Sequence, residues 1–145
     1  MGGGVLMKKK LLACLILIFL TIGLFASFAL SDDAPMMTKE QLKAMLGDPD
    51  LVILDVRRDS DYFSSDLKIK GAVRPDTVTC VTARKYPKGK TFVIYCASPN
   101  EAKSTDDVKH LIEKHGADGF NNTNVFVLKG GWEEWLKAGY PTEKK

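Results

Sequence analysis

Three runs of β-branched, aliphatic and aromatic residues constrain this chain most: Leu51-Val52-Ile53-Leu54, Thr91-Phe92-Val93-Ile94-Tyr95 and Asn124-Val125-Phe126-Val127-Leu128. None alternates apolar with polar residues, as a strand with one wet face must, so each reads as a strand buried on both faces. The segments between them carry helical spacing. Leu42, Met45 and Leu46 precede the first run, Val108, Leu111 and Ile112 lie between the second and third, and Trp132, Trp135 and Leu136 follow the third. Buried strands alternating with helices predict an α/β domain whose parallel sheet is covered on both faces.

Local punctuation agrees with this reading. Thr38-Lys39-Glu40-Gln41 fits a capping box, and Gly47 with Pro49 ends the helix it opens. Gly71-Ala72-Val73 predicts a further short strand. Residues 75–90 read as irregular, with a turn at Pro87-Lys88-Gly89-Lys90. Gly116 stops the second helix, and Gly139 with Pro141 closes the last.

Residues 1–30 have a different character. Lys8, Lys9 and Lys10 stand before an apolar run from Leu11 to Leu30, which predicts a secretory signal peptide or an uncleaved N-terminal membrane anchor. Small residues at Ser27 and Ala29 place cleavage after Ala29. Both alternatives put the basic flank in the cytoplasm and export the rest. Ser31 to Pro35 continues as a polar stretch, giving a linker over 31–36 and a domain over 37–142. The chain holds 21 Lys and Arg against 18 Asp and Glu, and the only charges before residue 31 are those three lysines. The exported part is therefore electrically balanced, which argues against a nucleic-acid partner.

Beyond the leader two cysteines remain, Cys80 and Cys96. They read either as a structural disulfide, as a redox pair, or as one reactive thiol beside a buried bystander. Position singles out Cys96. It directly follows the strand Thr91–Tyr95 and precedes a helix, the place where open parallel sheets bind ligands. A helix N-terminus also favours the thiolate, the nucleophilic form. A competing reading of the same loop is a capping box, Ser98-Pro99-Asn100-Glu101, that merely starts the helix.

Leu54-Asp55-Val56-Arg57, Gly71-Ala72-Val73, Val93-Ile94-Tyr95-Cys96, Val127-Leu128-Lys129-Gly130-Gly131-Trp132 and Ala138-Gly139-Tyr140-Pro141, in that order, resemble a single-domain rhodanese over about residues 37–142. The resemblance implies a single domain around a five-stranded parallel sheet flanked by helices. It also implies a sulfurtransferase in which Cys96 carries sulfane sulfur as a persulfide between a donor and a thiophilic acceptor. The loop residues Ala97, Ser98, Asn100, Glu101 and Ala102 would then cradle that sulfur with backbone N–H groups. Many active relatives of that kind carry arginine after the cysteine and a basic residue or threonine at the loop's far end, where this chain has Ala97 and Glu101. Pro99 lacks an N–H, and a carboxylate at Glu101 repels a dianion such as thiosulfate. These departures keep open a non-catalytic binding or sulfur-carrier module, and a thiol redox protein using Cys80 and Cys96. The Cys-x-x-Pro-Asn-Glu-Ala pattern resembles a bacterial variant found in exported and membrane-associated proteins, implying the periplasm.

The remaining signals point to structure. Asp55 and Arg57, at a strand end, are expected to border the pocket and to order its loops through an internal ion pair or a hydrogen bond. Trp132 and Trp135 are expected to seal the core. Arg84, Lys85, Lys88 and Lys90 read as a solvated basic face. His110 and His115 are five apart, a spacing that puts them on different faces of an ideal helix, so no metal site and no cofactor are expected. The expected partners are a sulfur donor and acceptor, either small molecules or proteins, with membrane contact only through a retained leader.

Overall fold

The computed structural model of the protein describes residues 33–75, 79–98, 100–121 and 123–145. The leader and its cleavage site lie outside these residues, as do Pro99 and Asn122. Among the described residues, no helix is long and apolar enough to cross a membrane. The compact unit runs from Asp33 to Lys145.

Four strands form the parallel sheet: β1 (Met36–Met37), β2 (Leu51–Asp55), β4 (Thr91–Tyr95) and β5 (Val125–Leu128), in the order β1-β5-β4-β2. The register pairs Asp55 with Tyr95 and Ile94 with Val127, so the carboxyl ends of β2, β4 and β5 lie side by side. Side chains along each strand alternate between two apolar layers, as the two-residue period of a strand requires. Val52, Leu54, Phe92, Ile94, Val125 and Val127 face one layer, closed by Val108 and Leu111 of α4 (Ala102–His115). Ile53, Val93, Tyr95 and Leu128 face the other, closed by Leu42 of α1 (Lys39–Met45) and by Trp132 and Trp135 of α5 (Gly131–Lys137). Both tryptophans are buried, as expected. The capping box at α1 is present in full: Thr38 Oγ1 accepts from the Gln41 N–H, and Gln41 Oε1 accepts from the Thr38 N–H.

The sheet has four strands where five were expected. Gly71–Val73 contributes a single parallel bridge, Val73 to Leu54, made by Val73 N–H to Ile53 O and Asp55 N–H to Val73 O. Gly71 has φ of 80°, outside the β region, and Pro75 lacks an amide hydrogen, so the extended segment is confined from both ends. A second, antiparallel pair joins β3 (Leu67–Ile69) to β6 (Thr142–Lys144). β1 takes Met36, and the core takes Ala34, both from the stretch expected as linker. Two five-residue helices, α2 (Asp59–Phe63) and α3 (Thr79–Ala83), complete the elements.

Candidate active site

Cys96 extends the alternation of β4 by one residue and so points into the layer closed by α4. It is 5% exposed. Its Sγ lies 3.3 Å from the Ser104 hydroxyl and 3.9 Å from the Ser98 carbonyl oxygen. Ser104 is fully buried in the first turn of α4, and its hydroxyl can donate either to Cys96 Sγ or to the Glu101 carbonyl at 2.9 Å. Since a hydroxyl has one proton, it turns to the sulfur when the sulfur is anionic and is the stronger acceptor. Ser104 was not among the residues singled out from sequence. Its signal was there: it heads the apolar stripe continued by Val108 and Leu111, where a polar residue must find a buried partner.

The loop between Cys96 and α4 does not form the capping box read from sequence. Glu101 is the residue before the helix, at φ 51° and ψ 15°, and its side chain makes no cap bond. Its carboxylate instead accepts from the N–H of Gly130, at the entry to α5. The left-handed backbone at Glu101 is what carries the side chain out of the loop. The acid therefore uses a donor outside the cysteine loop, and it lines a separate cleft of about 390 Å³ with Thr38, Lys39, Lys129 and Glu134. The Ser98 hydroxyl bonds the exposed Asn100 side chain. Of the amides expected to cradle sulfur, that of Glu101 is committed to Ser98 O at 3.2 Å. The first bond of the α4 ladder runs from Thr105 N–H to Glu101 O, so the amides of Ala102, Lys103 and Ser104 precede it and have no partner in the ladder.

The start of α5 clamps the loop from the other side. Trp132 N–H donates to Cys96 O at 2.9 Å, and Glu133 N–H to Ala97 O at 3.4 Å. This approach needs glycine at 131: a Cβ there would stand 2.7 Å from Cys96 O and 3.1 Å from Ser98 O, at a φ of 54°. The Gly130-Gly131-Trp132 sequence thus fixes the carbonyl side of Cys96.

Of the two arrangements expected, ion pair or hydrogen bond, Asp55 and Arg57 form a hydrogen-bonded ion pair. Arg57 Nη2 is 2.6 Å from Asp55 Oδ2, and Arg57 Nε is 2.9 Å from Oδ1. The Tyr95 hydroxyl donates to Asp55 Oδ2 at 2.7 Å, and Arg57 also bonds Leu67 O at 3.0 Å. The guanidinium stacks 4.4 Å over Trp132, and its Nη1 has no hydrogen-bond partner among the described residues. Burial, reinforced by the charge of Asp55 and the bond to it, pushes the Tyr95 phenol well above its ordinary value. Asp55, Arg57, Arg74, Thr79 and Lys103 line a small cleft of about 80 Å³ at the β2 end. Arg74 is held there by Arg57 O and Asp59.

Cys80 and Cys96 are both free and buried. Cys80, on α3, has imidazoles for neighbours, whereas Cys96 faces Ser104. The basic residues before β4 are partly paired: Lys90 bonds Asp50 at 2.9 Å, and Arg84 lies 4.0 Å from Asp118.

A parallel sheet covered on both faces, with a cysteine directly after a central strand and ahead of a helix, defines a single-domain α/β architecture. Residues 38–138 match the rhodanese-like domain family, and the chain belongs to it. No curated protein matches the chain. Among solved structures it is similar to the rhodanese-like domain of an Anabaena protein, at 32% identity and a TM-score of 0.57, covering 77% of this chain and 80% of that one. A Rhodopseudomonas palustris protein described as a possible tyrosine phosphatase matches at 26% identity and a TM-score of 0.55, covering 75% and 84%. A thiosulfate sulfurtransferase of Pseudomonas aeruginosa shares the fold at 24% identity and a TM-score of 0.54, covering 77% of this chain and 19% of that one.

Proposed function

We propose that the chain is a sulfurtransferase that carries sulfane sulfur as a persulfide on Cys96. The observation that carries this reading is the pairing of Cys96 Sγ with the buried Ser104 hydroxyl at 3.3 Å, at the mouth of α4. The Ser104 hydroxyl and the first turn of α4, whose amides precede the helical ladder, supply the donor and the dipole that a sulfur anion needs. The thiolate attacks the outer sulfur of a sulfane donor. An S–S bond forms to Cys96, and the donor's own bond to that sulfur breaks, its electron pair leaving with the donor. An acceptor thiolate or other thiophile then takes the outer sulfur, and Cys96 leaves as thiolate.

The departures at Ala97 and Glu101 fit this scheme. Glu101 spends its carboxylate on Gly130 N–H instead of the loop. Arg74 and Lys103 line the cleft beside Arg57, each already paired with an acid, Asp59 and Asp107. The basic segment Lys8–Lys10 and the apolar run after it support action in the periplasm, either free or tethered at the inner membrane.

The test is to incubate the protein with thiosulfate, mercaptopyruvate or polysulfide and record intact mass. The reading predicts addition of one cyanide-labile sulfur with at least one donor, absent in Cys96→Ser.

A further inference from the structure

Away from the Cys96 loop, the ligand atoms of Cys80, His110 and His115 all lie within 4.8 Å of one another. Cys80 comes from α3; His110 and His115 come from the far end of α4. An ideal helix would turn residues five apart by about 140° and separate these rings. Here their centroids are 5.5 Å apart, edge to face. The reason is local: His115 has φ −125° and ψ 19°, off the helical values, as α4 gives way to the short turn Gly116–Asp118. That break swings the second imidazole back toward the first.

We propose that these three side chains form a binding site for a divalent transition metal of the zinc class. Cys80 loses its thiol proton to solvent and binds as thiolate, and both histidines bind as neutral imidazoles. One sulfur and two nitrogens suit Zn²⁺, whereas calcium and magnesium require oxygen ligands. Bonds of about 2.0–2.3 Å in tetrahedral geometry set ligand atoms about 3.3–3.8 Å apart, so atoms now within 4.8 Å of one another close on an ion by approaching about 1–1.5 Å at most. The carboxylate of Asp118 stands 3.2 Å from His115 Nδ1, the arrangement in which an acid orients a ligating imidazole and leaves Nε2 for the ion. Arg84, 4.0 Å from the same carboxylate, holds it in place. His110 is exposed, so the fourth position opens to solvent. The site joins α3 to α4 and is independent of the reaction proposed for Cys96.

Titration of the full-length protein with Co²⁺, followed by absorption, tests the site. The expected result is one equivalent of cobalt showing a thiolate-to-metal charge-transfer band and tetrahedral ligand-field bands, both displaced by Zn²⁺. Cys80→Ser abolishes the charge-transfer band. His110→Ala, at an exposed position that leaves the core intact, weakens binding at least tenfold, and Asp118→Asn weakens it about 10–100-fold. Cys96→Ser binds as the unaltered chain does. No charge-transfer band, a band that survives Cys80→Ser, or a band lost only in Cys96→Ser overturns the proposal.

Discussion

The Arg57 guanidinium and the Asp55 carboxylate meet at 2.6 Å with neither side chain exposed. They lie two residues apart at the end of β2, beside the strand that delivers Cys96. The pair is tied to Tyr95, Leu67 and Trp132, so it joins β2, β4, β3 and the start of α5. Its role follows: it holds together the segments on which the cysteine loop rests.

Breaking one side of this pair leaves a buried charge without a partner. Asp55→Ala is expected to cost about 3–5 kcal/mol of stability in urea titration. The double variant Asp55→Ala/Arg57→Met, which leaves neither charge buried, is expected to recover part of that loss.

Tyr95 gives the network a signature at high pH. Its phenol stays protonated in the folded protein well above its ordinary value, chiefly through burial and next through Asp55. Below pH 10 the folded and unfolded phenols are both neutral, and the shift has no effect on stability. Above that the unfolded chain ionises first, and stability falls by about 1.4 kcal/mol per pH unit from this group. The difference in unfolding free energy between the native chain and Tyr95→Phe is expected to shrink with that slope above pH 10 and to stay flat below it.

Gly131 tests the clamp on the carbonyl side of Cys96. Gly131→Ala forces a Cβ to 2.7 Å from Cys96 O at positive φ, whereas Gly139→Ala carries a similar backbone conformation into open space. Both are expected to cost about 1–2 kcal/mol from the left-handed backbone. Only Gly131→Ala is expected to slow sulfur loading of Cys96 as well, by up to about 100-fold, because it displaces the nucleophile. Loading followed by intact mass separates the two.

Most of the sheet was legible in the sequence, because continuous apolar runs ending in charge or in Cys96 have few other solutions. The pieces that were not legible are short or depend on distant partners. β3 and β6 have three residues each and pair across most of the domain, so Leu67-Lys68-Ile69 reads as a polar stretch. α2 and α3 are too short to display a helical period. At the site, the placement of Cys96 and the Asp55–Arg57 pair could be read directly. The direction of Glu101 could not, since it depends on one left-handed residue, and Ser104 declares itself only as a polar residue at the head of a buried stripe.

Ser104 is the residue whose removal isolates the thiolate's support from its placement. Ser104→Ala deletes one donor and leaves the fold's apolar stripe intact. A hydrogen bond to a charged group contributes about 1.5–3 kcal/mol, so alkylation of Cys96 by iodoacetamide at neutral pH is expected to slow at least about tenfold. Alanine in place of Ser98 or Asn100 is expected to make no such difference, since the sulfur meets Ser98 through its backbone carbonyl and not through its hydroxyl.

The central claim is that Cys96 takes up and gives away a sulfur atom. Intact mass after exposure to a sulfane donor, then to cyanide, reads this directly. The account predicts a gain of one sulfur on the native chain, its removal by cyanide, and no gain on Cys96→Ser. A native chain that stays at its original mass with thiosulfate, mercaptopyruvate and polysulfide alike would contradict it.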